Sequence, residues 1–508
     1  MNTAGPLSII LSRVVLAAVL VGAACTPKKA STPASDSRWP ACDPSAATQT
    51  ISFVHINDMH SNYQLDANGV SPYAIARGYY LGVKAQNPYT LFTSAGDEYE
   101  KGAVAEQISK GLSTRAILFG MKFDIRTIGN HDFGWSEEEV LADSRDTYSQ
   151  VLTASIGYTG NDPLGFGAKP YVEEQVGCVK IGFFGLTTNS YNDRDQSQTI
   201  DYYPDMPTNL NFIQLAQAQI TAHRNDVDVL IGITHEGASA DSSTALSTSG
   251  IDIILGGHSH TLLTSIDPAD NNGTIITQAG SYATDINRLD ITYDLKTKKI
   301  INPVYTVTQL EPNITNIVPD PATQTLVTET LNQYAPGSQS PIAHVSAAVT
   351  DYSTVATIAG TAGMQRFSAD AAIVDVTTVW HPLPAGPISP QDCYNSFEVE
   401  REPPGTPGFN SFYTVSIDGA SLQALATQSR DGWVVVAPPT IDPTKTYLLV
   451  GQKRTLLNPS DYLPAGVSII GTPVEGVEVW DALSSYATSR EKACQYVDVD
   501  QTIPGCTP

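Results

Sequence analysis

The feature that most restricts how this chain can fold is a repeated arrangement in which an apolar, strand-like run leads directly into a short polar motif. The run Ile251–Ile254 leads into Leu255–His260, where two histidines one residue apart follow two glycines. Glycines let the backbone bend sharply and approach other groups closely, so both imidazoles can point toward one metal ion. A surface turn explains this motif equally well when it is taken alone. The pattern becomes informative because it recurs.

Four other strand-like runs end in motifs that contain Asp, Asn or His. In chain order they are Asn57-Asp58-Met59-His60, Ser94-Ala95-Gly96-Asp97, Gly129-Asn130-His131-Asp132 and Thr234-His235-Glu236-Gly237. Each has an ordinary explanation of its own, as a turn or as the capped start of a helix. Strands that alternate with helical stretches, with polar residues gathered where the strands end, are typical of layered α/β proteins. The series therefore predicts an α/β fold with one site at the carboxyl ends of its strands.

The composition limits the partners of this chain. Its 508 residues carry a formal net charge of −24, and the isoelectric point is near 4.6. Nucleic-acid polymers are excluded as partners, because binding a phosphate backbone needs a surplus of Lys and Arg. An anionic small molecule would have to be attracted by local positive charge, and bound metal is the obvious source of that charge.

The N-terminus is typical of an export signal. Arg13 provides a thin positive region, residues 14–24 are apolar and small, and Cys25 follows directly. Small residues before a cysteine resemble a bacterial lipoprotein signal, so we predict a signal peptide over residues 1–25 with lipidation at Cys25. Residues 26–48, rich in Ser, Thr, Ala and Pro, are predicted to be a flexible tether. Ordinary secretion is the alternative; either way the protein is expected in the periplasm or at the cell surface.

Five cysteines lie beyond the predicted signal. They are Cys42, Cys178, Cys393, Cys494 and Cys506. Export permits disulfides, and the closely spaced Cys494 and Cys506 are the predicted pair. The odd number leaves at least one thiol free.

The layered pattern fades after residue 293. Asp320 followed by Pro321 predicts an N-cap and first turn of a helix that continues to about Tyr334 and could be a connector. We accordingly predict a first domain over residues 49–312, a linker region over 313–340, and a second, smaller α/β domain over 341–508.

Together, the five motifs resemble those of the calcineurin-type metallophosphatases and, more narrowly, those of the bacterial 5′-nucleotidase and UDP-sugar hydrolase family. The resemblance covers residues 51–292 by motif and the rest of the chain by size and order. It implies a layered metallophosphatase β-sandwich flanked by helices for the first domain. For residues 341–508 it implies a divergent 5′-nucleotidase-like domain.

The resemblance also implies two metal ions. One would be held by Asp58, His60 and His260, the other by Asn130, His235 and His258, and Asp97 would bridge them. These oxygen and nitrogen ligands suit Mn, Zn, Fe or Co better than Ca or Mg. Two ions about 3.5 to 4 Å apart can lower the pKa of a shared water, and the resulting hydroxide would attack phosphorus in line with the leaving group.

His131 has no metal in this assignment, so it is predicted to donate a hydrogen bond to a phosphoryl oxygen or a proton to the leaving group. In the family, an Asp three residues further on commonly orients this histidine. Here that position is Gly134, and we predict Asp132 as the replacement.

The second domain departs further from the family. A glycine-rich turn followed by a substrate-gripping arginine is expected near Asp375–His381, and this stretch has neither. Phe397 lies near the expected position of a base-stacking ring, which makes it a candidate for substrate binding. A buried core phenylalanine is the alternative interpretation.

These observations predict an exported two-metal phosphoesterase that hydrolyses nucleotide phosphomonoesters, with contact to a membrane only through a lipid anchor. A phosphodiesterase or another ester hydrolase on the same metals is one alternative. A surface lipoprotein that binds without turnover is another.

Overall fold

The computed structural model describes residues 38–156, 166–188, 212–311, 317–397, 410–428 and 432–507. The predicted signal peptide, Cys25 and tether residues 26–37 lie outside these ranges. The described residues from Trp39 onward belong to one compact unit. The domain boundaries at residues 312 and 341 therefore stay a prediction. Within the described ranges, no helix is both long and apolar enough to pass through a membrane.

The strands of the first part of the chain build two sheets. In chain order they are β1 (Thr48–Ile56), β2 (Thr90–Ser94), β3 (Ile125–Thr127), β4 (Gln150–Leu152), β5 (Tyr171–Val176), β6 (Val179–Thr187), β7 (Val229–His235), β8 (Ile253–Gly256), β9 (Ile275–Thr277), β10 (Asp285–Asp294) and β11 (Lys299–Gln309). The first sheet has the order β11-β10-β1-β2-β3-β4, and the second has the order β5-β6-β7-β8-β9. Strands β1 to β4 run parallel to one another, as do β6 to β9.

Side-chain alternation along β1 places it between two hydrophobic cores. Phe53 packs in the core that the two sheets share, whereas its neighbour Val54 packs against helices on the other face. On the second sheet, Leu230 and Ile254 face outward and pack against another helical layer. The result is a four-layered arrangement of helices, sheet, sheet and helices, so the predicted α/β class with a layered sandwich is confirmed.

The helices of these layers are α1 (Pro72–Gln86), α2 (Val104–Ser109), α3 (Leu112–Met121), α4 (Glu137–Ser144), α5 (Phe212–His223), α6 (Ala238–Ser247) and α7 (Pro321–Tyr334). The Asp320 side chain caps α7 by accepting a hydrogen bond from the Thr323 N–H, as the sequence predicts. Val327 and Leu331 of α7 lie in the same core as Val54. This helix is therefore part of the first core, and its interpretation as a connector is wrong.

The remaining strands and helices follow in chain order. They are β12 (Ala343–Val345), α8 (Tyr352–Phe367), β13 (Ala371–Asp375), β14 (Gly386–Ile388), α9 (Pro390–Ser396), β15 (Ser411–Asp418), α10 (Gly419–Thr427), β16 (Trp433–Val436), β17 (Thr446–Gln452), α11 (Lys453–Leu457), α12 (Pro459–Tyr462), β18 (Ile469–Glu478) and α13 (Val479–Lys492). Five strands form a sheet of order β16-β13-β17-β15-β18, and β12 pairs with β14. Neighbouring residues Ile373 and Val374 of β13 pack in cores on opposite faces of this sheet.

The α9 helix is hydrogen-bonded to the loop that follows β2. The Gln391 side chain donates to the Gly102 carbonyl over 2.9 Å and accepts from the Val104 N–H over 2.9 Å. Tyr394 of α9 also packs with Val104 and Trp480. The C-terminal part of the chain therefore touches the loop after β2 directly.

Two disulfides close loops in the described chain. One joins Cys494 to Cys506, as the sequence predicts, and the other joins Cys42 to Cys178 across a sequence separation of 136. The second bond fastens the segment before β1 to the turn between β5 and β6. Cys393 is a free, buried thiol.

Candidate metal centre

The five predicted motifs meet where parallel strands of both sheets end. Strands β1, β2 and β3 deliver the motifs that contain Asp58, Asp97 and Asn130, and strands β7 and β8 deliver His235 and His258. Because the two sheets face each other through a shared core, these strand ends lie close together. The fold thus gathers residues from five distant parts of the sequence.

Five of the predicted ligands have a backbone conformation that is rare for residues with a side chain. Their φ angles are positive, at 50° for Asp58, 47° for His60, 53° for Asp97, 77° for His258 and 55° for His260. Each such residue costs on the order of 1 kcal/mol or more, and such strain clusters where side chains must be aimed at a ligand. The turns after these strands are therefore shaped by the positions that the side chains need.

Asp58, His60 and His260 form the first of two compact groups of ligand atoms, all within 4.8 Å of one another. The Nε2 atoms of His60 and His260 are 3.1 Å apart, and His260 Nε2 lies 3.4 Å from Asp58 Oδ1. The other carboxylate oxygen of Asp58 accepts hydrogen bonds from the Asn57 side chain and the His258 N–H, which fix its orientation.

Asp97, His235 and His258 form the second group, again with ligand atoms within 4.8 Å. The Asn130 side chain joins it, because its Oδ1 is 3.1 Å from His235 Nε2 and 3.1 Å from His258 Nδ1. All four residues belong to the predicted set.

Asp97 connects the two groups. Its Oδ2 lies 3.1 Å from His235 Nε2 and 3.8 Å from His60 Nε2. Its Oδ1 accepts a hydrogen bond from the His131 N–H over 2.7 Å, which holds the carboxylate in place. This is the position that a bridging ligand requires.

The hydrogen bonds of the histidines show that these groups suit a cation. His60 Nδ1 faces the Tyr99 carbonyl at 3.0 Å, and His235 Nδ1 faces the Ala95 carbonyl at 2.7 Å. A nitrogen facing a carbonyl must carry the proton, so in each neutral imidazole the Nε2 presents a lone pair. These lone pairs point at oxygens of Asp97 and Asn130 or at another imidazole nitrogen. A cluster of acceptors facing one another is satisfied by a divalent metal.

Without a cation beside Asp97, the electrostatics favour a second proton on His235 in place of the lone pair that would face a metal ion. Burial alone would lower the pKa of His235, but the Asp97 carboxylate beside it outweighs burial and raises that pKa to about 10. Burial likewise raises the pKa of Asp97, yet His235 and His131 hold it well below its usual value. The pKa of His60 is well below the ordinary value, because burial disfavours its cationic form. Asp97 is thus a buried anion that demands positive charge nearby.

Glycines let the loops after β2 and β3 approach each other. A Cβ on Gly129 would lie 2.9 Å from Asp97 Cγ, and Gly96, at a φ of 84°, faces the backbone of Gly129. The Gly-Asp and Gly-Asn pairs of the motifs therefore have a steric reason as well as a chemical one.

The predicted role of Asp132 in orienting His131 is wrong. His131 Nδ1 is hydrogen-bonded instead to Glu100 Oε2. Asp132 accepts from the N–H groups of Glu98, over 2.8 Å, and Gly129, over 2.7 Å, so it shapes the two loops. Burial raises the pKa of Asp132 to about 7.

His131 lies beside the first group of candidate ligands. Its ring packs edge-to-face on His60 with centroids 4.9 Å apart. Burial lowers its pKa, but the nearby carboxylates of Asp97 and Glu100 outweigh burial and raise it. Its Nε2 is the ring nitrogen that Glu100 leaves available.

Phe397 is not available to a ligand. It is fully buried in a core of the C-terminal part of the chain. The core interpretation is correct, and the prediction that Phe397 binds substrate is wrong.

Sequence reasoning also missed Tyr282. Its ring lies 5.3 Å from the rings of both His60 and His260, and its φ is 56°. It lines a cavity of about 570 Å³ together with Asn62, Leu65 and Leu310. This volume is typical of small-molecule sites. No motif marks Tyr282, because it comes from a turn before β10 with no apolar pattern of its own.

Comparison with known proteins gives this site a context. Residues 51–262 match the family described as calcineurin-like phosphoesterase. Human 5′-nucleotidase is 26% identical over 253 residues, a match that covers 45% of this chain and 41% of the human protein. The chain thus spans less than half the length of this curated relative.

Solved structures share the fold over more of the chain. The 5′-nucleotidase precursor of Thermus thermophilus superposes with a TM-score of 0.59 at 18% identity, covering 87% of this chain and 96% of that one. The sulfate thiohydrolase SoxB of the same organism gives a TM-score of 0.58 at 14% identity, with coverages of 86% and 94%. At these identities the likeness concerns the fold alone.

Proposed function

We propose that the chain is a two-metal phosphoesterase that hydrolyses nucleotide phosphomonoesters, from the premise that residues 51–262 match the calcineurin-like phosphoesterase family. The observation that carries the proposal is the pair of ligand groups with Asp97 between them. The 5′-nucleotidases among its relatives support nucleotides as the substrate class.

The ligand sets divide between two ions. One would be held by Asp58, His60 and His260 and the other by Asn130, His235 and His258, with Asp97 available to both because it lies between the two groups. When bound, divalent ions activate water and neutralise the charge that develops on a phosphoryl group. The donor atoms suit Mn, Zn, Fe or Co.

His131 supplies the proton chemistry. Because Glu100 holds its Nδ1, its Nε2 is the atom that donates to a phosphoryl oxygen or to the leaving-group oxygen. Packing on His60 keeps the imidazole beside the ligands.

The test combines metal content with turnover. Wild-type protein should contain two transition-metal ions per chain and hydrolyse a generic aryl phosphate. His131→Ala should keep the metal and lose about 10²- to 10⁴-fold in kcat. His223→Ala, whose ring stacks on Tyr171 away from the site, is the matched control and should keep full activity. Protein that neither holds nor acquires metal, or an equally fast His131→Ala variant, would overturn the proposal.

A substrate panel then separates the alternatives. We expect nucleoside 5′-monophosphates to be hydrolysed faster than a bis-aryl phosphodiester or a sulfur-containing ester. Preference for the diester would assign a phosphodiesterase. Metal binding without turnover of any ester would leave the non-catalytic binding protein.

We further propose export and a lipid anchor at Cys25. Arg13, the apolar residues 14–24 and Cys25 support this, and the disulfides fit an oxidising compartment. Cys25→Ser should move the protein from the membrane fraction to the soluble fraction of the producing cell. Unchanged fractionation would contradict the anchor.

A further inference from the structure

We propose that Lys101 binds the phosphate group of the substrate through its side-chain ammonium, with Trp380 of the C-terminal part of the chain beside it. This inference rests on the proposed function and names a substrate-binding residue that none of the motifs contains. It also identifies the source of positive charge that the C-terminal stretch Asp375–His381 lacks.

The backbone places Lys101 beside two site histidines. The residue before it, Glu100, is bonded to His131, and the residue after it, Gly102, donates its N–H to the His60 carbonyl over 2.7 Å. Lys101 itself has a φ of 83°, a conformation that turns the chain sharply at this point. Lys101 therefore lies between two residues that each contact the centre.

Within the described part of the chain, the Lys101 side chain is buried without an anionic partner. The residue is only 8% exposed. Among the described residues its ammonium has no hydrogen bond or ion pair, and it lies over the Trp380 ring, 5.8 Å from the centroid. Lysines are almost never so buried unless they are paired. A phosphate oxygen would supply the missing partner in a charge-assisted hydrogen bond.

Trp380 shows how the C-terminal part of the chain takes part. It lies in the stretch where a substrate-gripping arginine was expected, and its side chain is 39% exposed. The loop carrying Lys101 is also fastened to α9 through Gln391. In this arrangement Lys101, on the loop after β2, binds the anion. The C-terminal part contributes the aromatic ring of Trp380 beside it.

The experiment measures binding of inorganic phosphate to metal-loaded protein by titration calorimetry, so that its readout does not depend on turnover. Loss of one charge-assisted hydrogen bond should weaken phosphate binding about tenfold or more in Lys101→Met, with metal content unchanged. KM for an aryl phosphate should rise by a similar factor. Lys101→Arg should bind phosphate within about threefold of wild type, because the charge is kept.

Lys110→Met is the matched control. Lys110 also has a left-handed backbone, with a φ of 54°, but its side chain is exposed on the far end of α2. The Lys110→Met protein should bind phosphate as tightly as wild type does. Lys101→Gln serves as a second variant if the methionine variant does not fold.

Wild-type affinity in a metal-replete Lys101→Met or Lys101→Gln protein would overturn the inference, as would loss of metal in both variants. The proposed function is tested separately. Wild-type protein that binds phosphate through Lys101 but hydrolyses no phosphoester would refute the proposed activity and not the proposed phosphate site.

Discussion

The carboxylate of Glu100 occupies the space into which a side chain at Gly134 would project. A Cβ on Gly134 would lie 2.6 Å from both Cδ and Oε1 of Glu100. The other oxygen of Glu100 is bonded to His131 Nδ1. In the family that this sequence resembles, an Asp at the position of Gly134 commonly orients the histidine. Here the orienting carboxylate comes from the loop after β2, and the glycine makes room for it.

Because Glu100 replaces an Asp at position 134, a carboxylate restored at position 134 should compensate in part for the loss of Glu100. Glu100→Ala should lower kcat about 10- to 100-fold with little change in KM, because His131 keeps its place but loses the group that fixes its ring and tautomer. Adding Gly134→Asp to that variant should recover part of the loss, since a carboxylate returns from the other side. Steady-state kinetics of both variants, with full pH profiles, provide the measurement.

The controls for the rescue are two further variants. Gly134→Asp alone should be impaired, because its side chain meets Glu100. Glu329→Ala removes an exposed carboxylate from α7 and should leave kcat unchanged. A double variant no more active than Glu100→Ala would argue against a shared orienting position.

The two ligand groups predict a graded loss of metal. His260→Ala should leave about one ion per chain, because only one group contains this residue. Asp97→Asn should weaken the binding of both ions, because Asp97 lies between the groups. Elemental analysis after dialysis measures the content, and His344→Ala, which removes a pair with Glu491, is the control. Equal loss in His260→Ala and Asp97→Asn would refute the division into two groups.

Glu106 predicts a pH dependence of stability. Burial raises the pKa of its carboxyl from 4.5 to about 7, although the Glu100 and Trp135 N–H groups bond to it. A raised carboxyl pKa stabilises the fold fully below the unfolded-state pKa of 4.5, and this contribution disappears as the pH rises through about 7.

Glu106→Gln should therefore gain stability relative to wild type as the pH rises, by on the order of 3 kcal/mol at most between about pH 5 and pH 8. Urea unfolding of both proteins at both pH values, at fixed metal concentration, gives the difference. A constant difference across this range would show that Glu106 ionises normally.

Cys393 should resist thiol reagents. It is fully buried, and burial raises the pKa of its thiol to about 12, so little thiolate forms at about pH 8. In a Cys25→Ser background, we expect less than stoichiometric labelling by iodoacetamide in buffer and one label per chain in urea. Mass spectrometry assigns the labelled residue, and rapid labelling in buffer would show that the core around α9 opens.

The gathering of the candidate ligands could be predicted from sequence because each lies at the end of a strand or within four residues of it, where local pattern and topology agree. The carboxyl ends of parallel strands meet at one edge of a sheet, so the sequence pattern alone predicts that Asp58 and His258 lie close together. Glu100 and Lys101 could not, since they follow no strand directly and their contacts depend on the path of one irregular loop. Phe397 shows the converse: its place in the sequence resembled a stacking position, but packing in the core decided its role.

The break between α2 and α3 likewise could not be predicted from sequence. The apolar spacing between residues 103 and 119 suggests one helical stretch, whereas Lys110 and Gly111 adopt left-handed conformations and divide it into α2 and α3. Likewise, the Cys42–Cys178 disulfide joins residues whose proximity depends on the pairing of both sheets, which the cysteine spacing does not reveal.

The Gln391 side chain, which donates a hydrogen bond to the Gly102 carbonyl and accepts one from the Val104 N–H, couples α9 to the loop after β2. This contact attaches α9 to the loop that holds Glu100 and Lys101, so a movement of α9 would change the positions of both side chains. Detachment of α9 would therefore displace together the proposed phosphate-binding lysine and the carboxylate that is hydrogen-bonded to His131. The packing of the C-terminal part of the chain thus helps to fix the position of the loop beside the candidate ligands.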